Sequence, residues 1–250
     1  MKTDDDSKTI QVSFVIPARD EELTLPPTLE AIHKAAADLS LSYDIVVVND
    51  GSTDLTAEVA RNHGAQVIDV EIHNIGGVRN AGAKEAQGDV IYFLDADTIL
   101  PTKTLKAALA AIENGAVGGG GFVEFEKGLG FIHLILSKTF CFLWCRVCGW
   151  AAGCNIFIRR DIFEKIGGFN TEFYAAEERE LSRAAKKEGR FVILKESVIT
   201  SARKLRLYST WYLLSVAFRG LLMGEQNLKR REGLEVLYDA PREQLPIDTE

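Results

Sequence analysis

Val90 to Asp97, Val-Ile-Tyr-Phe-Leu-Asp-Ala-Asp, is the stretch that most limits what this chain can fold into. Five apolar residues in a row, rich in β-formers, predict a strand buried on both faces, the kind found in parallel sheets. Asp95 and Asp97 close it. Side chains at i and i+2 of a strand share a face, so the two carboxylates can converge at the sheet's C-terminal edge. Open α/β sheets bind ligands at that edge. Two adjacent acids need a cation, and carboxylate oxygens suit Mg²⁺ or Mn²⁺ holding a diphosphate. The alternative is a solvated loop that happens to start with two aspartates.

Further strands are expected at Val12–Ile16, Ile45–Val48 and Gln66–Val70, separated by segments of helical period. Pro27–Leu39 carries Leu29, Ile32 and Ala36 on one side, and Leu105, Ala108, Leu109 and Ile112 recur at helical spacing. The order βαβαβαβα predicts a mostly parallel, doubly wound sheet with helices on both faces. Val48-Asn49-Asp50-Gly51-Ser52-Thr53-Asp54 puts Asp50 at the same edge as Asp95, with Ser52 or Thr53 capping the next helix. Val117–Phe125 is a strand despite Gly118 to Gly121, which read either as room for a ligand or as a mobile floor. Leu129–Trp150 is helical, Asn155–Ile158 a strand, Glu177–Lys187 a helix, and Phe191–Leu194 and Val198–Thr200 two short strands. A helix from Tyr208 to about Arg231 and a polar tail end the chain. The layout is a disordered polar tail at 1–9, an α/β unit at 10–203 with halves at 10–115 and 116–203, and a helical appendage at 204–250.

Glu21 or Glu22, Asp50, and Asp95 with Asp97 thus gather acids from three strand ends, an arrangement that repulsion opposes unless a cation sits among them. Asp50 can accept from a base N–H or a ribose hydroxyl, and Arg79 is a candidate bidentate partner of phosphate. The pieces Ile16-Pro17-Ala18-Arg19-Asp20-Glu21-Glu22, Val48 to Asp54, Arg79-Asn80-Ala81-Gly82, Phe93-Leu94-Asp95-Ala96-Asp97, Gly167-Gly168-Phe169 and Glu177-Glu178-Arg179-Glu180-Leu181 stand in the order and spacing of one family. From Val12 to Arg203 the chain resembles a family-2 glycosyltransferase of the GT-A fold.

The resemblance implies an inverting, metal-dependent hexosyltransferase that moves one sugar from a nucleotide-sugar, usually a UDP-sugar, to a glycan or lipid-linked acceptor. It implies that Pro17, Ala18, Arg19 and Glu21 line the donor pocket with Asp50, Arg79, Asp95 and Ala96. Asp95 would touch the ribose and Asp97 bind the metal, with Asp95 beside it. Glu178 would be the catalytic base, with Glu177 as runner-up, and Gly167, Gly168 and Phe169 the acceptor-side turn. Two positions depart from the family pattern: Asp20 stands for the more usual Asn, and Glu178 for the more usual Asp. Two other readings stay open, a nucleotidyltransferase of similar fold and a non-catalytic nucleotide-sugar binder. The Gln-x-x-Arg-Trp signature of processive members is absent, since Gln226-Asn227-Leu228-Lys229-Arg230 does not match it.

Cys141, Cys145 and Cys148 have the Cys-x-x-x-Cys-x-x-Cys spacing of iron–sulfur ligands and would share one face of an α-helix. Their aromatic and aliphatic neighbours favour ordinary core thiols. The four histidines are scattered and suggest no shared site. A net charge of −7 argues against nucleic-acid binding, and the polar, acidic start shows no secretory signal, so a cytoplasmic setting is expected. The charge is uneven. Residues 203–231 hold seven basic residues and one acid, Glu225, around an apolar run. This suits either a helix packed on the domain or peripheral contact with an anionic cytoplasmic membrane face. Lys138 and Arg146 interrupt Phe131–Trp150, which therefore reads as a buried or interfacial helix and not a span.

Overall fold

The computed structural model describes residues 12–126, 130–203 and 228–229. The expected tail at 1–9 lies outside them, as does the expected helix at 208–231 apart from Leu228 and Lys229. The elements in order are β1 (Val12–Ala18), α1 (Leu25–Asp38), β2 (Tyr43–Asp50), α2 (Thr56–Asn62), β3 (Gln66–Val70), α3 (Ile75–Glu85), β4 (Val90–Leu94), β5 (Thr98–Ile99) and α4 (Thr102–Glu113). Then come β6 (Gly118–Phe125), α5 (Phe131–Cys141), β7 (Asn155–Arg159), α6 (Arg160–Lys165), α7 (Glu177–Glu188) and β8 (Phe191–Thr200).

Among the described residues the strands form one eight-stranded sheet in the order β3-β2-β1-β4-β7-β6-β8-β5. β3, β2, β1 and β4 are mutually parallel, and β6 is parallel to β8. β7 runs against both neighbours, β4 and β6, and the short β5 runs against β8. Six strands therefore share one direction, and the expected mostly parallel sheet holds. The two short strands expected at 191–194 and 198–200 are one strand, β8, bent where its register against β6 shifts between Gly120 and Phe122.

The alternation of β1, β2 and β4 explains why they read as unbroken apolar runs. Phe14, Ile16, Val47, Tyr92 and Leu94 face one layer with Leu29 and Ile32 of α1 and Leu105 of α4. Val15, Val46, Val48, Ile91 and Phe93 face the other, with Val78 of α3, Phe163 of α6 and Leu181 of α7. Each such side chain contributes roughly 1.5–3 kcal/mol of burial. Both faces must be apolar because helices cover both.

The glycine run in β6 is explained by neither reading made from sequence. A Cβ on Gly119 would lie 2.3 Å from the Val192 carbonyl oxygen, and one on Gly120 2.7 Å from that of Asn155. The glycines admit the adjacent strand and loop, so the space belongs to protein and not to ligand. Gly82 does the same for α3, where a Cβ would meet Val15 Cγ1 at 2.5 Å and Val48 Cγ2 at 2.7 Å. Those branched side chains lie in the packed core and cannot swing aside. Gly82→Val is expected to cost roughly 1–3 kcal/mol by overpacking, read as a lower urea midpoint at unchanged slope.

Candidate active site

The register brings the site together. β1, β2 and β4 end at one edge, and because β7 is antiparallel to β4 its start lies there too, with Asn155 opposite Leu94. Gly153 and Cys154 therefore stand beside Asp95. Thr200, at the end of β8, pairs with Thr98, which carries Arg203 to the same edge.

At β1, the Asp20 backbone is left-handed (φ 51°). Asn and Asp tolerate that region best among residues with a side chain, so the departure from Asn preserves the conformation. Asp20 Oδ1 accepts from the Thr53 backbone N–H at 2.7 Å, and Ser52 Oγ accepts from the Asp20 N–H at 3.0 Å. Ser52 and Thr53 thus tie two loops together and do not cap α2. The N-cap position of α2 is Leu55, and Asp54 just before it accepts from the Thr56 N–H at 2.9 Å. Asp50 is buried and accepts from the Ile72 N–H at 2.7 Å and the His73 N–H at 3.0 Å, with the His73 ring 3.5 Å away. Arg19 Nη1 approaches the same ring nitrogen, 3.4 Å from His73 Nδ1. Pro17 and Ala18 form the last rungs of β1 against Val48 and Asn49.

Two arginines organise the acids. Arg79, 2% exposed, donates from Nη1 to Glu177 at 2.7 Å and from Nη2 to Asp95 and the Gly153 carbonyl, both at 2.9 Å. Phe169 lies beneath its guanidinium, 5.4 Å from the ring centroid. Burial alone would lower the Arg79 pKa, but Asp95, Glu177 and Glu178 outweigh it and hold the group above the ordinary arginine value. Both terminal nitrogens thus already serve protein acceptors, where the sequence reading had them facing phosphate. Arg203, also buried, forms a fork with Glu21 at 2.9 and 3.2 Å and stands 3.9 Å from Asp97 Oδ2. Arg203 opens the basic stretch 203–231 in the sequence, yet its side chain turns inward. The Ala96 carbonyl is held by the Thr28 hydroxyl at 3.0 Å.

The turn Gly167–Phe169 and the loop that follows it are clamped by α3 and its capping residue Asn74. Asn80 pairs with both backbone groups of Phe169, at 2.8 and 2.9 Å, and Asn74 donates to the carbonyls of Thr171 and Phe173. Gly167 and Gly168 take positive φ (81° and 75°) to make the turn that drops Phe169 under Arg79. The loop then enters α7 through Ala176, which is left-handed. Glu178 follows on the first turn. Its carboxyl is pushed well above the usual carboxylate range by burial first and the charge of Glu177 second, against the pull of Arg79. Glu180 turns aside to Arg179 and Arg183.

Gly153 and Cys154 join the two acid groups. A Cβ at Gly153 would lie 3.4 Å from Arg79 Nη2 and 3.8 Å from Glu178 Cδ. The Cys154 thiol is raised by burial and then by both Asp95 and Asp97. Arg203, Gly153, Cys154, Asn74 and Asn80 were missed as site residues in the sequence. Arg203 stands 182 positions from its partner Glu21, and no local pattern signals such a pair.

The donor set fits a hard divalent cation. Asp95 and Asp97 offer carboxylate oxygens, with side chains 35% and 18% exposed. No cluster of three or more His, Cys, Asp or Glu poised for a metal occurs among the described residues. One or two carboxylates completed by substrate phosphates is how such ions are commonly held. The cysteines do not form a cluster. Cys141 and Cys145 are buried with sulfurs 3.9 Å apart, whereas Cys148 is exposed. The π-helical turn Phe142–Val147 widens the spiral and rotates Cys148 off the face it would share in an α-helix.

The family model of glycosyl transferase family 2 matches residues 13–167, more than half of the chain. The chain belongs to this family. It is 28% identical over 228 residues to a probable glycosyltransferase, YdaM, of Bacillus subtilis, covering 81% of this chain and 53% of that one. An undecaprenyl-phosphate 4-deoxy-4-formamido-L-arabinose transferase of Proteus mirabilis is 34% identical over 115 residues, 43% of this chain and 35% of its own. A dolichyl-phosphate β-glucosyltransferase of Drosophila melanogaster is 34% identical over 106 residues, 37% of this chain and 32% of its own. The chain thus spans about half or less of the length of these curated relatives. Among solved structures, the mannosyltransferase PcManGT of Pyrobaculum calidifontis, in complex with GDP-Man and Mn²⁺, superposes with a TM-score of 0.65 at 19% identity, covering 84% of this chain and 62% of that one. Residues 1–349 of S. aureus TarS give 0.61 at 19%, covering 92% and 72%. These likenesses identify the fold as GT-A.

Removing the Arg79 charge would strand Glu177 in the interior. Arg79→Met is expected to cost roughly 3–5 kcal/mol in urea unfolding, with part recovered in the Arg79→Met/Glu177→Gln double variant.

Proposed function

We propose that this glycosyltransferase moves a single sugar, with inversion, from a nucleotide-sugar to an acceptor carried on a lipid, and that Glu178 is its base. The observation that carries this reading is the Arg79 bridge. It ties Asp95, at a strand end, to Glu177 on the first turn of α7, with the Gly153 carbonyl as a third acceptor. Glu178 lies beside the same glycine with a carboxyl of raised proton affinity, as a group that collects a proton in the step requires. In the proposed step Glu178 takes the acceptor hydroxyl's proton as that oxygen bonds to the anomeric carbon and the bond to the diphosphate breaks. Asp50 and Glu21 hold the nucleoside side, Asp95 the ribose. Asp97, with Asp95 beside it, would hold Mg²⁺ or Mn²⁺, which offsets the charge gathering on the leaving diphosphate. Arg79 and Arg203 keep the acids in place.

A UDP-sugar is the donor expected from the motif set; the GDP-Man complex of PcManGT makes GDP-sugars the comparison to run. The lipid-linked acceptor rests on the undecaprenyl- and dolichyl-phosphate relatives. No helix among the described residues is long and apolar enough to cross a membrane, and the proposed placement is peripheral, on the cytoplasmic face. A nucleotidyltransferase is disfavoured by the family match, and a non-catalytic binder by the acid poised at Glu178.

Glu178→Gln is expected to lower transfer to a hydroxyl acceptor by ~10²–10⁴-fold while UDP binding by calorimetry is unchanged. Full turnover by the variant would remove Glu178 from the mechanism. A phosphate acceptor arrives already ionised, so the same variant should lose far less on polyprenyl phosphate, which separates the two acceptor classes. The deprotonated carboxylate is the active form, so kcat/KM on the hydroxyl acceptor should rise with pH through a limb above the ordinary glutamate range, and Glu178→Asp should shift that limb. Thermal-shift screening with Mn²⁺ should raise the Tm for the true donor only, since binding to the folded state alone stabilises it.

A further inference from the structure

The face of α5 and its π-helical extension is the largest apolar feature that the proposed chemistry does not use. Six of the ten exposed large hydrophobic residues among those described fall between positions 131 and 147. Phe131 is 76% and Val147 65% exposed, and Ile135, Phe140, Phe142 and Leu143 are each about half exposed. Lys138 and Arg146 are exposed on the same segment, and residues 130–148 contain no Asp or Glu in a chain of net charge −7.

The inner side of this segment is firmly docked. Cys141 and Cys145 are buried, and Cys145 Sγ donates to the Gly121 carbonyl at 3.8 Å. Trp144 donates from Nε1 to the Ala151 carbonyl at 2.9 Å and packs between Phe140 and Trp150. The widened turn keeps Cys145 inward while sending Phe142, Leu143, Arg146 and Val147 outward together. The inner side also adjoins the site, since Ala151, whose carbonyl Trp144 holds, donates its N–H to Ser182 Oγ at 3.1 Å, and that hydroxyl donates to the Glu178 carbonyl at 2.7 Å. One element is thus anchored beside the acceptor end of the site and carries on its back aromatic and aliphatic side chains with two cations.

We infer that α5 and the π-helical turn Phe142–Val147 form a bilayer-contact face that seats the protein on a membrane with anionic headgroups. Cations without acids among exposed aromatics match an interface of opposite charge. Apolar side chains enter the headgroup boundary while Lys138 and Arg146 extend to phosphates. The inference deepens the lipid-linked acceptor proposed above by giving it a direction of approach. It places the contact at 131–147, apart from the basic stretch at 203–231.

The test is flotation of the full chain with phosphatidylcholine vesicles carrying about a quarter phosphatidylglycerol. The protein is expected to float with these at low salt and to bind pure phosphatidylcholine much more weakly. Phe142→Glu/Leu143→Glu/Val147→Glu should cut the bound fraction at least about tenfold at an unchanged melting temperature. Because that variant changes three apolar residues, Lys138→Glu/Arg146→Glu serves as an independent one and should abolish the preference for the anionic lipid. The inference is overturned if the wild type does not bind, or if both variants float like it, which would put the contact in residues 204–227 or elsewhere. It is also overturned if the wild type is a dimer that the triple variant converts to monomer, because the face then belongs to a second copy. Transfer to a soluble hydroxyl acceptor without vesicles separates the two proposals. Transfer without flotation defeats only the membrane face, and flotation without any transfer defeats only the functional reading.

Discussion

A guanidinium held almost wholly out of water is stable only if charge and hydrogen bonds replace its solvation. Arg79 meets that condition through Glu177, Asp95 and the Gly153 carbonyl, with Phe169 beneath it. These four partners come from α7, the end of β4, the loop before β7 and the turn before α7. None would have reason to approach the others without it, since three of them bring carboxylates or carbonyl oxygen. The pair burial is a specifying device more than a source of net stability, because desolvating such charges consumes most of their attraction. What it secures is the relative position of the β4 end and the first turn of α7.

A second cation repeats the device on a smaller scale. Arg203 ties Glu21, after β1, to the neighbourhood of Asp97, after β4. The six acids gathered at this edge, Glu21, Asp50, Asp95, Asp97, Glu177 and Glu178, still outnumber the two arginines. Strained backbone marks the same places. Asp20, His73 and Ala176 adopt left-handed φ beside Glu21, Asp50 and Glu177 respectively. Conformations that cost energy persist where surrounding bonds over-determine them, and here those bonds are the loop-to-loop contacts of Asp20, Asp50 and the asparagine clamps of α3.

Much of the architecture was legible along the chain because its signals are local. The unbroken apolar runs at β1, β2 and β4 announced strands covered on both faces, and α1 and α4 lay where period and spacing put them. The errors arose where a local pattern has two tertiary solutions. Gly118–Gly121 are equally consistent with space for a ligand and with close approach of a neighbouring strand; the Val192 and Asn155 carbonyls decide for the latter. Cys141, Cys145 and Cys148 share a face only at 3.6 residues per turn, and one π-helical turn undoes it. α6 is too short for periodicity to reveal.

The sequence by itself determined which residue types stand at the strand ends, because strand period and turn chemistry act over a few positions: Asp50, Asp95 and Asp97 at one edge, and Glu177 and Glu178 opening α7. Only the tertiary structure decided how those charges are neutralised. Arg79 reaches across 98 positions to Glu177, and Arg203 across 182 to Glu21. Pairings of that span depend on the sheet order and on β7 turning back between β4 and β6. Local propensity carries no record of them.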